Sequence, residues 1–188
     1  HPSLGKGRMI NAVRGLALLL AELPLDHLSP EATEGKEGFL HPYDLRGGVY
    51  SAEARILLRD FDTRRLDDYA QLVQAAAAQV EAKLPGLKFR IERQRQYRNM
   101  AEAIRKMPQV VDFATRAWEQ MSQPYQIGAI RGGTDGAQFS EMGLPTPNLS
   151  VGQHNIHSVL EFASLNQMLS AVEHAVKLLE LWQAHGRS

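Results

Sequence analysis

The run IRGGTDGAQFSEMGLPTPNL, residues 130–149, sets Arg131 and Asp135 on a backbone broken by Gly132, Gly133 and Gly136. Glycine permits positive φ and lets other groups approach the main chain closely. A helix starting near Gly136 presents unpaired N–H groups at its first turn. The plainer reading is a glycine turn capped by Thr134 or Asp135. The run alone does not separate the two. It lacks the GxxxxGK[ST] spacing of a phosphate loop.

Two histidines follow, His154 and His157, in HNIHSVLEF. An HxxH spacing suits metal ligation only if both rings reach one point. In an extended segment, residues i and i+3 point to opposite faces, which argues against a shared ion. Arg59, in ILLRDFD, shares a strand face with Arg55 and Leu57. Its guanidinium is either a fork for a carboxylate or one half of an ion pair with Asp60 or Asp62. These readings stay open on the residues alone.

The elements that would position these groups are legible in part. Apolar residues at Met9, Val13, Leu16, Leu20 and Leu23 predict one helix face, and Pro24 ends it. Residues 24–38 read as loop. Two extended segments flank Gly47 and Gly48: GFLHPY, and VYSAEARILLRDFD, where Ala54, Ile56 and Leu58 alternate with their neighbours. Asp62 or Thr63 can cap a second helix whose apolar face is Leu66, Tyr69, Val73, Ala77, Val80 and Leu84. LKFRIE then alternates as a strand. The order helix, strand, strand, helix, strand is a βαββαβ sandwich lacking its first strand.

Beyond residue 100 the pattern changes. A helix is predicted over 108–121, with proline in its first turn, and a short strand near 148–151. The last helix opens on a capping box of Ser164 and Gln167. Its buried stripe is expected at Leu165, Leu169, Val172, Val176 and Leu179.

Composition sets the outer limits. Of 188 residues, 44% are hydrophobic and 22% charged, as in ordinary globular chains. Lysine plus arginine balances aspartate plus glutamate at 21 each, which lends no support to nucleic acid or an anionic membrane as partner. The absence of cysteine excludes disulfides and thiolate zinc sites and fits a reducing compartment. The longest apolar stretch, LALLL, is too short to span a bilayer. The chain opens HPSLGKG, with no initiator methionine, and is expected to be a piece of a longer protein.

Six blocks lie in order along the chain: HPSLGKGRMINAV, TEGKEGF, LLRDFD, YRNM, IRGGTDGAQFSEMGLPTPNL and HNIHSVLEF. Together they resemble the peptidase T family, cytoplasmic tripeptide aminopeptidases among the two-zinc exopeptidases that include carboxypeptidases and aminoacylases. The resemblance implies an α/β (α+β) fold in two parts. Residues 1–104 correspond to most of a βαββαβ ferredoxin-like lid, and residues 105–188 to the C-terminal αβα piece of the catalytic domain. It implies that His157 ligates one of two zinc ions. It implies that His1 stabilises the tetrahedral oxyanion and that Arg59 holds the carboxylate of a short peptide. Arg131, Asp135 and Asn99 fall in motifs beside the substrate, with no firm role attached.

The same resemblance marks departures. His154 and Ile156 take tyrosine positions, Leu160 a histidine position and Ser3 a glycine position. These bear on substrate preference. The family's other zinc ligands and its general-base glutamate lie upstream of the position of His1. A zinc site needs about four ligands, or three plus water, so the chain alone is expected to be inactive. The expected partners are therefore the missing N-terminal catalytic part, a short peptide substrate and a second copy through the lid. The competing readings are a carboxypeptidase- or aminoacylase-type amidohydrolase and a non-catalytic lid fragment.

Overall fold

The computed structural model describes residues 2–186. It is a mixed α/β chain, 45% helical and 11% strand, with small antiparallel sheets. Two compact units divide it, His1–Arg95 and Gln96–Ser188. The resemblance had put the functional boundary at 104/105.

The first unit begins with a short 3-10 turn, Pro2–Leu4, and helix α1, Ala12–Glu22. Asn11 caps α1 by accepting the Arg14 N–H on its side-chain oxygen, which satisfies one of the orphan donors of the first turn. A four-residue helix α2, Leu25–Leu28, lies inside the segment expected to be loop. Strands β1, Phe39–Gly47, and β2, Ala52–Arg59, pair antiparallel, with Phe39 opposite Arg59 and Gly47 opposite Ala52. The register shifts between Pro42 and Asp44. A proline cannot donate to the ladder and is tolerated at such a bulge. Helix α3 runs Arg65–Lys83.

Leu16 and Leu19 of α1, with Leu23 just beyond its end, pack with Leu40 of β1 and with Tyr69, Val73, Ala76 and Ala77 of α3. Leu40 is fully buried. The α3 face is the one its periodicity predicts. The α1 face is rotated: Val13 and Met9 are exposed, and Gly15, Leu16 and Leu19 turn inward. Three adjacent leucines at 18–20 gave the sequence two candidate stripes, and packing on α3 selects the one through Leu19.

The segment LKFRIE does not form the expected third strand. The reason is visible in its hydrogen bonds. The Phe89 N–H goes to Glu81 Oε1 at 2.7 Å, Lys88 Nζ reaches Glu81 Oε2 at 2.9 Å, and Arg93 pairs with Asp67. From Glu81 back to Asp67, α3 spans roughly 21 Å at 1.5 Å per residue. Lys88 to Arg93, extended, spans roughly 17 Å. The segment thus runs antiparallel along α3 and takes its polar partners from the helix. Leu87 is buried and Phe89 half-buried, while Ile91 is exposed.

In the second unit, α4 is Ala101–Lys106, α5 Gln109–Gln120 and α6 Asp135–Glu141. A two-residue ladder pairs β3, Gln153–His154, with β4, Phe162–Ala163, and α7 runs Leu165–His185. The strand expected near 148–151 is absent, and the pairing falls at 153–154 instead. Val110, Phe113, Ala114 and Ala117 of α5 are buried at i, i+3, i+4 and i+7. They pack on α7, where Trp182 meets Phe113 edge to face at 4.8 Å.

That contact overturns the stripe expected on α7. Leu165, Leu169, Val172, Val176 and Leu179 are exposed, Leu169 at 56% and Val176 at 51%. The covered face carries His174, 1% exposed, which stacks on Trp118 at 4.3 Å. His174 Nε2 bonds the Ala114 carbonyl at 2.8 Å. A carbonyl only accepts, so Nε2 carries the proton. Helix α7 is thus apolar on two faces, and α5 covers only one. The capping box also fails to form. Ser164 is the N-cap without a side-chain bond, and Gln167 binds His154 instead.

Candidate functional site

The sequence-derived candidates fall in separate places. His1 lies outside the described residues. Arg59 belongs to the first unit, and Asn99, Arg131, Asp135 and His157 to the second.

Arg59 is the last residue of β2, half-buried. The next residue explains why the strand ends in a fixed position. The Asp60 side chain is only 4% exposed. Its Oδ2 accepts the Tyr69 hydroxyl at 2.7 Å, and its Oδ1 accepts the Asp62 N–H at 2.7 Å. Arg65 Nη1 lies 3.9 Å away. A buried carboxyl group needs such partners, because burying its oxygens without hydrogen bonds is costly. Asp62 is taken by Arg64, whose guanidinium and backbone N–H hold the carboxyl down at about 2. Asp60 is thus held by Tyr69 of α3, and Asp62 by Arg64 at the start of that helix.

None of Gly132, Gly133 and Gly136 has positive φ; Gly133 and Gly136 serve close approach. A Cβ at Gly133 would lie 1.5 Å from Tyr97 Cζ, because that ring lies directly against the backbone there. A Cβ at Gly136 would meet the Thr146 carbonyl oxygen at 2.4 Å. Ser140 Oγ accepts the Thr146 N–H at 3.0 Å and fastens the same crossing. The YRNM block, the glycine run and the LPTPN stretch are thus one packed corner. Asn99 belongs to it: its Oδ1 accepts the Ala101 N–H at 2.8 Å, at the start of α4.

Arg131 is half-buried, with Nε shielded from solvent. Asp135 is exposed as the first residue of α6, where a negative charge is favoured by the helix dipole. Thr134 is the N-cap by backbone geometry, yet its Oγ1 is buried and makes no hydrogen bond among the described residues. The threonine cap expected from the sequence is therefore not formed.

His157 sits in the loop joining β3 to β4, exposed, at φ 67°. A left-handed conformation costs a residue with a Cβ roughly 1–2 kcal/mol. Its backbone N–H donates to Glu161 Oε2 at 2.8 Å. That bond, then a second from Gln153, holds the Glu161 carboxyl below the usual carboxylate range. The His157 ring itself makes no hydrogen bond within the described residues. His154 is occupied differently: its ring stacks on Phe162 at 4.8 Å, and Nε2 meets Gln167 Oε1 at 2.6 Å. The HxxH pair is therefore one supporting and one outward histidine.

Among the described residues, no group of three or more His, Cys, Asp or Glu side chains could hold a metal ion. One exposed imidazole does not make a zinc site, so the described residues by themselves do not fit that group. Nor is any described helix long and apolar enough to cross a membrane.

No family model matches the chain. Its similarity to individual curated proteins is extensive. It is 36% identical over 187 residues to a protein named Peptidase T from Lysinibacillus sphaericus (strain C3-41), covering 100% of this chain and 46% of that protein. It is 35% identical over 184 residues to Peptidase T of Bacillus subtilis (strain 168), covering 98% of this chain and 45% of the relative. With Peptidase T of Escherichia fergusonii it shares 39% over 182 residues, 96% of this chain and 44% of the relative. The resemblance carried by the six blocks thus extends over the whole chain. The chain spans about half the length of the curated relatives it matches.

Proposed function

We propose that this chain is part of a peptidase T-type hydrolase, a metallo-aminopeptidase that releases the N-terminal residue of tripeptides in the cytoplasm. The observation that carries this reading is the similarity over the full chain, with His157 held outward on a left-handed loop where the family's ligand block falls. Two zinc ions belong to the proposal. His157 would give one of them a ligand, and the remaining ligands would come from outside the described residues. Bound zinc would supply an activated water and polarise the scissile carbonyl.

The chain's own residues have narrower tasks. Arg59, held at the end of β2, would bind the free carboxylate of a short peptide. A longer peptide places that carboxylate out of reach, which is how one arginine can select length. Asp135 and Arg131, fixed by the Tyr97–Gly133 corner, would border the bound peptide, and Asn99 would support that border. His1 would face the developing oxyanion. Without the remaining ligands the isolated chain would be inactive. The first unit is proposed as the surface for a second copy.

A substrate panel tests the class. The enzyme is a chimera in which this chain replaces the matching segment of the Bacillus subtilis relative. Hydrolysis of tripeptides, with dipeptides and N-acyl amino acids turned over far more slowly, is the expected result. Preference for N-acyl amino acids or C-terminal release would favour the amidohydrolase or carboxypeptidase reading instead.

A further inference from the structure

Helix α7 is apolar on two opposite faces, and α5 covers one of them. At 3.6 residues per turn, His174, stacked on Trp118, falls roughly 180° round the helix from the middle of the stripe Leu165, Leu169, Val172, Val176 and Leu179. Those five side chains are 51–69% exposed. They follow one another in steps of four and three residues over about 21 Å. A surface helix is polar on the side away from its core, whereas one that is apolar on opposite sides lies between two layers.

The second unit is short of core in the same sense. Among its described residues, the buried hydrophobic side chains are Val110, Phe113, Ala114, Ala117 and Ala137, three of them alanines. The larger apolar side chains of α7 have nothing to pack on. A contiguous apolar stripe of this length marks a site for further polypeptide.

The flanks of the stripe bear on what fits it. On one side lie Glu173 and Glu180, both exposed, with Lys177 turned back onto Glu180 at 2.8 Å. On the other lie Met168 and Ala175, also exposed. A second copy of α7 docked in parallel would set the two glutamates against Met168 and Ala175. Docked antiparallel, it would set glutamate against glutamate. Neither arrangement supplies an opposite charge. The curated relatives supply another occupant. The chain covers 46% of one and 45% of another, so a comparable length of peptidase T chain lies outside the match.

We propose that the α7 stripe is the surface on which that remaining part of a peptidase T-type polypeptide packs, through an apolar, uncharged face. This rests on the reading of the chain as part of such a hydrolase. Helix α7 would then be an interior helix, held by α5 on its His174 side and by the remaining part on its leucine and valine side.

Two measurements test it. The chain has no cysteine, so Val172→Cys places a single thiol in the stripe. Lys88→Cys, at a side chain 81% exposed, reports an open site. In the 188-residue chain both should react with a maleimide at similar rates. In the chimera, with any cysteine of the relative's part replaced by serine, Val172→Cys should react about tenfold or more slowly than Lys88→Cys, since a covered site reacts only when it opens. Equal rates in the chimera overturn the proposal. Slowing that is already present in the 188-residue chain and grows with its concentration assigns the stripe to a second copy, and overturns it too.

The second measurement reads stability. Leu169→Asp combined with Val176→Asp should leave the unfolding midpoint of the 188-residue chain little changed and lower that of the chimera. A chimera as stable with both substitutions as without them overturns the proposal. Should the chimera itself fail to fold, the intact Bacillus subtilis relative, with its thiol at the position aligned with Val172, gives the same labelling comparison. The two readings fail separately. A chimera that covers the stripe yet leaves tripeptides intact keeps the packing surface and loses the peptidase. One that hydrolyses tripeptides with the stripe open keeps the peptidase and loses the surface.

Discussion

Tyr69 donates its hydroxyl proton to Asp60 Oδ2 across 2.7 Å, tying helix α3 to the residue that follows Arg59. The space around this bond is so tight that a Cβ at Gly38 would lie 2.1 Å from Asp60 Oδ2 and 2.5 Å from the Tyr69 hydroxyl. The position of Arg59 is therefore set by a polar contact inside the first unit's core. Tyr69→Phe should destabilise the chain by about 1.5–3 kcal/mol, the range for a hydrogen bond to a charged group. Both tryptophans, Trp118 and Trp182, lie in the second unit. Urea unfolding should accordingly be followed by far-ultraviolet circular dichroism. A change below about 0.5 kcal/mol, the usual surface range, would remove Asp60–Tyr69 as an anchor.

The same pair makes stability fall in alkali. Burial, and next the bond to Asp60, push Tyr69 up to about 12. In the unfolded chain it titrates near the ordinary phenol value of about 10. Between these values the folded state keeps a proton that the unfolded state releases. The contribution is whole below pH 10 and is lost as pH rises through 12, on the order of 2 kcal/mol in all. Unfolding midpoints measured from pH 9 to 11.5 should show this decline in the parent chain. Tyr69→Phe should show a shallower one, and equal slopes would contradict the assignment.

Helix α7 yields a prediction opposite to its hydropathy. Leu169→Ser and Val176→Ser should change the chain's stability by no more than about 0.5 kcal/mol, since both side chains are exposed. His174→Ala should cost about 2 kcal/mol or more, through lost stacking on Trp118, the lost bond to the Ala114 carbonyl and the cavity left between α5 and α7. Tryptophan fluorescence during denaturant unfolding reads both. A large loss from Leu169→Ser alone would mean that the stripe is covered.

Arg59→Met in the chimera should raise the tripeptide KM by about tenfold to a hundredfold, as expected for a lost charge-assisted contact of about 1.5–3 kcal/mol. The kcat should change much less, because the carboxylate is bound equally before and during reaction. Steady-state kinetics with a tripeptide and its C-terminal amide separates the roles. The amide should already be poor and insensitive to the substitution. Unchanged tripeptide kinetics would remove Arg59 from the substrate.

What the sequence made legible follows the physics of each element. The α3 stripe from Leu66 to Val80 was readable because one face is buried and the other is charged. The two strands were readable because Gly47 and Gly48 interrupt two extended runs, whereas their antiparallel pairing comes from the structure. The third strand was misread because alternation in LKFRIE records an extended chain, whereas a strand also needs a partner, and Glu81 takes the Phe89 amide first. The α7 face was misread because apolar spacing cannot say which face a neighbour covers, and the side chain at the α5 contact is a histidine. At the candidate site, block order flagged His157 and the glycine run. It did not expose Glu161 or Tyr97, whose roles depend on a carboxylate reaching back four residues and a ring lying on Gly133. The Glu161-Phe162 pair at the end of HNIHSVLEF was the available signal.

The most direct test of the account is the effect of His157→Ala on the chimera, read as tripeptide hydrolysis and bound zinc in the same samples. The account predicts that the parent chimera releases the N-terminal residue of a tripeptide. It predicts that His157→Ala lowers kcat by at least about a hundredfold and removes about one zinc of two, as loss of a direct ligand should exceed the 10–100-fold of an outer-shell group. Full activity with full zinc content in His157→Ala would contradict it.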